Sequence, residues 1–293
     1  LLGVASKSKS KLNNLEKKIN FTQYDSYENL LDDDRIDAVY IATLNNTHKD
    51  LVIKAAKKNK KILCEKPLGL NVNEVKDLHE ILKKKTNSFY EAIAYRSHPQ
   101  TFFLINLFKD KEFGRIKKIE SNFGFKVKKI TNNSRLFNKD LGGGAILDLG
   151  CYPISFFNLF NEQKQGLKIL DSKKNYCETS VDIDSEIFLK INQEIDATAK
   201  VSLRENLQNI SRIFFEKAVI TIFEPWVPKK KNFIEIETKS RYYKKFFNID
   251  KNMYSHQIEQ VSKAFLEKNS LLVDIDESLE ISSVITSWLE IKN

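Results

Sequence analysis

Hydrophobic and polar positions follow one pattern over roughly the first third of the chain. Short apolar runs alternate with amphipathic stretches, and residues 38–42 (AVYIA) form a continuous apolar run. Such a run is typical of a parallel strand that is covered on both faces. The repeated β-α-β units with short connections predict an α/β fold with a doubly wound parallel sheet. The predicted strands are 1–5, 21–24, 38–42, 61–64 and 88–92, and the predicted helices are 9–18, 26–31, 47–58 and 71–82.

A period of two replaces this pattern beyond Pro99. Residues 183–191 and 194–204 alternate between apolar and polar side chains, which predicts antiparallel strands with one covered face. Further strands are predicted at 211–215, 219–223 and 233–238, with helices at 100–108, 144–160, 256–266 and 277–292. We therefore expect two domains, 1–95 and 96–293. The second is an α+β domain with a large open, mainly antiparallel sheet, and its last helix is a candidate to pack back on the first domain.

The beginning of the chain lacks a feature that this fold class requires. The sequence opens at Leu1 on an apolar run, and no Gly-x-Gly-x-x-Gly turn occurs in it. A dinucleotide-binding fold begins with a strand, a glycine turn and a helix. We therefore expect roughly 30 residues, one β-α unit, upstream of Leu1.

Composition and charge exclude several classes of protein. The net charge of +9 arises from 41 Lys and only 7 Arg, interleaved with 39 acidic residues. Proteins that read phosphates and bases rely on the bidentate contacts of Arg, so a nucleic-acid partner is not expected. No apolar stretch approaches the length of a membrane span. The three scattered cysteines predict neither a disulfide framework nor a zinc site, and they indicate a reducing cytoplasm.

Two short segments carry the candidate chemistry. Lys66 directly follows a predicted strand, at the edge where parallel sheets bind ligands. A lysine there can donate to a substrate hydroxyl, and it can shuttle a proton if burial and a cationic nicotinamide lower its pKa. Taken alone, it could equally be a surface lysine. Farther along, Gly142–Gly144 opens a helix on which Asp148 and Tyr152 share a face, and Pro153 is expected to open the following turn.

Five motifs in this order resemble the Gfo/Idh/MocA family of oxidoreductases: IDAVYIATLNNTHKD, ILCEKPLGLN, YEAIAYRSHPQ, GGGAILDLGCYPI and VDIDSEIFL. The resemblance implies that Lys66 is catalytic and is followed by a cis peptide bond to Pro67. It also implies an acid/base role for Tyr152, with Asp148 orienting the substrate or the lysine. With tyrosine at this position, the sequence resembles the branch of the family that contains sugar and diol dehydrogenases. The inositol branch carries histidine there. The resemblance also assigns residues to the two ligands. The cofactor would be contacted by Thr43, Asn45, His48, Glu65, Lys66 and Pro67, and the substrate by Arg96 and His98.

The cofactor preference can be argued from charge. An NAD site places a carboxylate after the second strand, whereas the 2′-phosphate of NADP needs donors and positive charge. After the first predicted strand the chain has Ser6 and Lys7, and no acid precedes Glu16. The sequence therefore favours NADP over NAD, and no metal is expected.

These observations lead to one main hypothesis and two alternatives. The main hypothesis is an NADP-dependent oxidoreductase that transfers hydride to or from a carbon of a sugar, a polyol or a cyclic diol. The alternatives are an NAD-linked inositol or nucleotide-sugar dehydrogenase and a non-catalytic ligand-sensing homologue. A sensor would not need the proton-transfer groups Lys66, Asp148 and Tyr152. A homo-oligomer, dimer or tetramer, is expected through the open sheet.

Overall fold

A computed structural model describes residues 1–85, 88–131, 134–162, 165–267 and 271–291. The strands are β1 (Gly3–Ala5), β2 (Thr22–Tyr24), β3 (Ala38–Ile41), β4 (Lys61–Glu65), β5 (Phe89–Ala92), β6 (Ile116–Gly124), β7 (Leu167–Tyr176), β8 (Asp182–Ile191), β9 (Ile195–Ser202), β10 (Ile210–Phe215), β11 (Ala218–Phe223), β12 (Lys231–Thr238) and β13 (Tyr242–Asn248). The α-helices are α1 (Lys9–Glu16), α2 (Tyr27–Asp32), α3 (His48–Lys57), α4 (Val72–Leu82), α5 (Pro99–Lys109), α6 (Cys151–Asn158), α7 (Met253–Leu266) and α8 (Ile275–Glu290).

The first part of the chain forms parallel sheet, as predicted. β1 pairs with β2, and β3, β4 and β5 form a second parallel sheet in that order. The two sheets border a largely apolar cavity of about 460 Å³, whose lining includes Val4, Val39 and Ile41. The α/β prediction is therefore confirmed, with the parallel strands distributed over two sheets.

The helix that follows β4 shows why the sequence folds locally as it does. Asn71 caps α4, and its side-chain oxygen accepts hydrogen bonds from the amides of Asn73 and Glu74. The Glu74 carboxylate reaches back to the Leu70 amide at 2.8 Å, one residue earlier than in a standard capping box. These bonds fix where the loop after β4 ends, and that loop contains Lys66.

The second part of the chain is built on one sheet of eight strands. Their order is β13-β12-β11-β10-β6-β9-β8-β7, and all neighbours are antiparallel except β6 and β9. Side chains such as Ile119, Ile187 and Ile220 are fully buried on one face, and they belong to the same core as residues of α5, α6 and α8. The prediction of a large, mainly antiparallel sheet is confirmed.

Three strands escaped the pattern analysis: β6, β7 and β13. β7 and β13 are the two edge strands of the large sheet. The pairing register of β7 shifts between Ile169 and Asp171, which interrupts the alternation of faces. In β13, all residues but one are exposed, so polar and aromatic side chains occupy both faces and leave no period of two.

Helix α8 contacts elements of both parts of the chain. The Val72 amide at the start of α4 donates to the Thr286 hydroxyl at 2.8 Å. On the other side, the Trp288 indole donates to Ser185 of β8, also at 2.8 Å. The buried Lys174 ammonium donates to carbonyls near the end of α8, those of Trp288 and Leu289, at 3.0 Å.

In the described ranges, no helix has the length and apolar character needed to cross a membrane.

The predicted helix 144–160 begins differently in the structure. Residues Ile146–Gly150 form a π-helical turn, and α-helical geometry starts only at Cys151. Pro153 has no amide hydrogen, so the turn before it loses a regular α-helical bond and opens, as expected. The start of the turn is held by Asp182, whose carboxylate accepts from the Ile146 amide at 2.7 Å.

Gly144 cannot carry a side chain at this helix start. Its φ of +113° lies in a region that other residues rarely adopt, and a Cβ there would lie 2.3 Å from an Asp182 carboxylate oxygen. We expect Gly144→Ala to lower the free energy of unfolding by about 2–4 kcal/mol, from backbone strain and from displacement of Asp182. Urea unfolding followed by tryptophan fluorescence measures this loss.

Gly166→Ala is the matched control. Gly166 also has a positive φ, +82°, but no atom of the described residues lies within 4 Å of its Cβ position. It should therefore lose only the conformational contribution of about 1–2 kcal/mol. Equal losses in the two variants would contradict the role assigned to Asp182.

Candidate functional site

Lys66, Asp148 and Tyr152 come together although 82 residues separate the first two in the chain. The Lys66–Pro67 peptide bond is cis, and the Lys66 ammonium donates to the backbone carbonyl of Asp148 at 2.7 Å and to its carboxylate at 3.2 Å. The same ammonium lies 5.1 Å from the centre of the Tyr152 ring. In the i to i+5 register of a π turn, the partner of the Asp148 carbonyl would be Pro153, which has no amide hydrogen. The lysine supplies the missing donor.

The charges in this cluster stabilise one another. Burial alone would lower the pKa of Lys66, but Tyr152 and the Asp148 carboxylate outweigh it and raise that pKa above its ordinary value. Burial likewise works to raise the pKa of Asp148, and Lys66 and Arg135 together lower it. Burial by itself therefore does not lower the Lys66 pKa here, because the ion pair offsets desolvation. Lys66 is an ammonium and Asp148 a carboxylate.

Tyr152 lies in an aromatic cluster. Phe123 meets its ring edge-on, with the ring centres 5.0 Å apart, and Trp226 lies 6.3 Å away. Burial raises the pKa of the Tyr152 phenol, and the positive charge of Lys66 opposes that rise only in part. Tyr152 is therefore a neutral phenol at neutral pH.

Two residues of this cluster were missed in the sequence. Arg135 donates to the Asp148 carboxylate at 2.9 Å, and nearly half of its side chain is exposed. No periodicity or motif pointed to it, because it begins a single 3₁₀ turn, Arg135–Phe137, that is too short to show a period. Asp182 was visible within the motif VDIDSEIFL, but nothing in the sequence indicates that it holds the helix start on which Asp148 lies.

The loops after β3 and β4 are joined by His48. One ring nitrogen lies 2.8 Å from the Pro67 carbonyl and the other 3.2 Å from the Thr43 carbonyl. Burial lowers the pKa of His48, so the ring is neutral and donates through only one of these two nitrogens. Asn45 adds a further connection, since its amide donates to the Gly142 carbonyl at 3.2 Å. These predicted cofactor residues therefore hold the Lys66 loop against the glycine segment.

The other predicted cofactor residues also lie at the ends of parallel strands. The Glu65 carboxylate accepts a hydrogen bond from the Tyr40 hydroxyl. After β1, the Ser6 hydroxyl accepts from the Ser8 amide at 3.1 Å, and the side chain of Lys7 is exposed at the start of α1.

Arg96 and His98 do not join this cluster. The buried Arg96 guanidinium donates to the carbonyls of Leu271 and Ser155 and to the Glu277 carboxylate, at 2.7–2.8 Å. His98 is fully buried, accepts from the Gln100 amide, and has its pKa lowered to about 4, mainly by burial. Both side chains are engaged inside the protein, so their placement does not support the expected contact with substrate.

The described residues contain no group of three or more His, Cys, Asp or Glu side chains that could hold a metal ion. The groups that meet at Lys66 are an ammonium, a phenol and a carboxylate. Such a set can donate and accept a proton at one oxygen and stabilise negative charge on it.

Comparison with known sequences gives relatives along most of the chain. Trans-1,2-dihydrobenzene-1,2-diol dehydrogenase of Xenopus tropicalis is 29% identical over 293 residues, which cover 94% of this chain and 86% of the relative. D-xylose 1-dehydrogenase (NADP(+)) 2 of Haloferax volcanii is 38% identical over 139 residues, 47% of this chain and 42% of that protein.

Solved structures share the fold at lower identity. A 3-ketoreductase from Actinomadura kijaniata, in complex with NADP and TDP-benzene, superimposes with a TM-score of 0.85 and 19% identity over 98% of this chain and 88% of that one. Aldose-aldose oxidoreductase from Caulobacter crescentus also gives 0.85 and 19%, over 99% of this chain and 88% of that chain. At these identities the likeness establishes the fold.

Two family models account for most of the sequence. The model described as "Oxidoreductase family, NAD-binding Rossmann fold" matches residues 1–92, and the model of the GFO/IDH/MocA C-terminal domain matches residues 104–221. The resemblance drawn from the five motifs is thereby confirmed, as is the Rossmann type of the parallel sheet. The chain belongs to the GFO/IDH/MocA family of oxidoreductases.

Proposed function

We propose that this protein is an NADP-dependent dehydrogenase that interconverts a hydroxyl and a carbonyl group on a sugar, a polyol or a cyclic diol. The observation that carries the proposal is the meeting of the Lys66 ammonium with Asp148 and with the Tyr152 ring. These groups provide a proton donor or acceptor beside a fixed positive charge, which is what a carbon–oxygen redox step needs from the protein.

Each side chain has a distinct proposed role. Tyr152 gives its phenolic proton to the carbonyl oxygen in reduction and takes the hydroxyl proton in oxidation. Lys66 places its ammonium where negative charge develops on that oxygen. Asp148 fixes the lysine, and Arg135 donates to the same oxygen of the Asp148 carboxylate, Oδ1. The bound nicotinamide supplies or accepts the hydride.

The ends of the parallel strands fit a phosphorylated dinucleotide. Ser6 and Lys7 lie where β1 leads into the N-terminus of α1, a place where amides and positive charge favour a phosphate. Thr43, Asn45 and His48 follow β3, Glu65 is the last residue of β4, and Lys66 and Pro67 follow it. We propose that Ser6 and Lys7 hold the 2′-phosphate and that the two later loops contact the rest of the cofactor.

The relatives support both the substrate class and the cofactor. Their names cover a diol dehydrogenase, a xylose dehydrogenase that uses NADP(+), and an aldose-aldose oxidoreductase. A levoglucosan dehydrogenase of the same fold was solved with NADH, at 16% identity and a TM-score of 0.82. The fold therefore accepts either cofactor, and the choice of NADP rests on Ser6 and Lys7.

Replacing the two proposed catalytic groups tests the mechanism. We expect Lys66→Met and Tyr152→Phe each to lower kcat at least about 10²-fold, because general acid–base catalysis contributes about that much. Steady-state assays with aldoses, polyols and diols measure kcat. A fluorescence titration of reduced cofactor should show that Tyr152→Phe still binds it.

Each variant has a matched control elsewhere in the chain. Lys60→Met removes another buried ammonium, one that donates to the Asp33 carbonyl. Tyr95→Phe removes a phenol that bonds Ser155 within the aromatic cluster. Both should keep kcat within about threefold of wild type. Unchanged turnover in Lys66→Met and Tyr152→Phe would exclude the proposed acid–base roles. A wild-type protein that binds the cofactor but turns over no substrate would favour the ligand-sensing alternative.

Reversing the charge at Lys7 tests the cofactor preference. A charge-assisted hydrogen bond to a phosphate contributes about 1.5–3 kcal/mol, so Lys7→Glu should raise the KM for NADP⁺ roughly 10- to 100-fold. The KM for NAD⁺ should not rise. Lys17→Glu makes the same change beyond the other end of α1 and should alter neither value more than about twofold. Equal effects on both cofactors would exclude Lys7 as the contact of the 2′-phosphate.

We propose that two copies of the chain associate through the open face of the large sheet. Phe188, Phe214 and Phe233 are only half buried on that face. We expect sedimentation velocity to show a dimer and Phe188→Glu to shift it towards monomer, because a charge would be buried in the interface. Phe102→Glu, the same change on α5, should leave the dimer intact. A monomeric wild-type protein at micromolar concentration would contradict this.

A further inference from the structure

A cavity of about 20 Å³ lies directly behind the proposed catalytic groups. Its walls include Pro67, Leu147 and Cys151, the chain neighbours of Lys66, Asp148 and Tyr152 respectively. The volume suffices for one water molecule but not for a larger ligand.

Polar groups line this cavity from two sides. Glu91 of β5 is buried, and one of its carboxylate oxygens accepts from the Leu68 amide at 3.0 Å. Leu68 follows the cis-bonded Pro67, so this bond holds the far end of the Lys66 loop. From α8, the Ser278 hydroxyl is 1% exposed and approaches the Glu91 carboxyl, but it makes no hydrogen bond of acceptable geometry within the described chain. Ser282 also contributes to the lining.

We propose that one buried water joins Glu91 to Ser278 in this cavity, and that Glu91 is a positioning residue for the Lys66 loop. A buried water needs two to four polar partners, which Glu91, Ser278 and Ser282 provide. The water completes the hydrogen bonding of Ser278, and Glu91 holds the loop through Leu68. The catalytic consequence rests on the proposed dehydrogenase function, whereas the water site does not.

Glu91 changes its charge in the neutral pH range. Burial raises its pKa to about 7, although the Ser278 hydroxyl and the Leu68 amide oppose that rise. The charged or titratable groups around it are the carboxylates of Glu65 and Glu277, the Arg96 guanidinium that pairs with Glu277, and the thiols of Cys64 and Cys151, both kept neutral by burial. Below pH 7 the neutral carboxyl can donate to the water while it still accepts from Leu68. Above pH 7 it places a negative charge behind the site.

The effect on stability has a definite sign. Because the folded-state pKa of Glu91 lies above its ordinary value of 4.5, its favourable contribution is complete below that value and is lost as the pH rises through about 7. Glu91→Gln keeps an acceptor for Leu68 and cannot ionise. The Tm of this variant relative to wild type should therefore increase between pH 5 and pH 8.

Infrared spectroscopy across this pH range tests the proposal without requiring turnover. Wild-type protein should show a carboxyl band that titrates near pH 7 and is missing from Glu91→Gln. Ser278→Ala should move this titration to higher pH, because it removes a group that favours the ionised form. Glu80→Gln and Ser283→Ala, exposed changes on α4 and α8, should alter neither the band nor the pH dependence of Tm. A high-resolution crystal structure should show the water between Glu91 and Ser278.

Activity provides the second readout. The kcat of wild-type protein should show an inflection near pH 7 that Glu91→Gln removes. Glu91→Ala, which removes the acceptor for Leu68, should lower kcat about 10-fold or more. A band and a Tm profile that Glu91→Gln leaves unchanged would overturn the proposal, as would a cavity without water. If the band and the Tm profile behave as expected but no substrate turns over, the proposed function fails and the Glu91 site stands.

Discussion

The arrangement of the site depends on one carboxylate shared by two cations. Asp148 lies between Lys66, which comes from the loop after β4, and Arg135, which comes from the connection after β6. The carboxylate is almost fully buried, and removing one partner of such a pair typically costs about 3–5 kcal/mol. The pair therefore fixes the Lys66 loop against the π turn that carries Asp148, and it joins the Rossmann sheet to the part of the chain built on the large sheet.

Backbone geometry makes this pairing possible. Gly144 allows Asp182 to approach the helix start, and Asp182 holds the Ile146 amide. The π turn that follows, together with Pro153, leaves the Asp148 carbonyl for the Lys66 ammonium. On the opposite side, bonds from His48 and Glu91 hold Pro67 and Leu68. A lysine has a flexible side chain, so its precision here comes from the main-chain segments on both sides of the contact.

The sequence predicted much of this structure, for physical reasons that can be named. Continuous apolar runs such as 38–42 and strict alternation such as 183–191 are strong signals because burial imposes them. Both the parallel strands and the large antiparallel sheet were therefore predicted. The edge strands β7 and β13 were missed, because burial does not impose a regular apolar pattern on them. Lys66, Asp148 and Tyr152 were identified because ordered motifs marked them. Their contact could not be derived from spacing, and nothing local distinguishes Arg135 from any other exposed arginine.

Arg96 shows that a sequence motif does not by itself reveal what a side chain contacts. Its position in the sequence suggested a contact with substrate, yet a guanidinium that meets Glu277 and two carbonyls in the interior is a structural cation. The sequence shows the residue type, whereas the packing of α8 decides which groups it contacts. The same helix supplies Ser278 to the cavity behind the site.

The protonation state of the site bears on the direction of the proposed chemistry. With the pKa values of Lys66 and Tyr152 both raised, the free protein holds an ammonium and a neutral phenol. This is the state that carbonyl reduction requires, because the phenol gives its proton as the oxygen gains electrons. Oxidation requires the phenol to lose its proton first, which the adjacent ammonium favours and burial opposes. A positive charge arriving beside Tyr152, as an oxidised nicotinamide brings, would favour the phenolate. The oxidation state of the cofactor would therefore shift the protonation of Tyr152 towards the form that each direction of the proposed reaction requires.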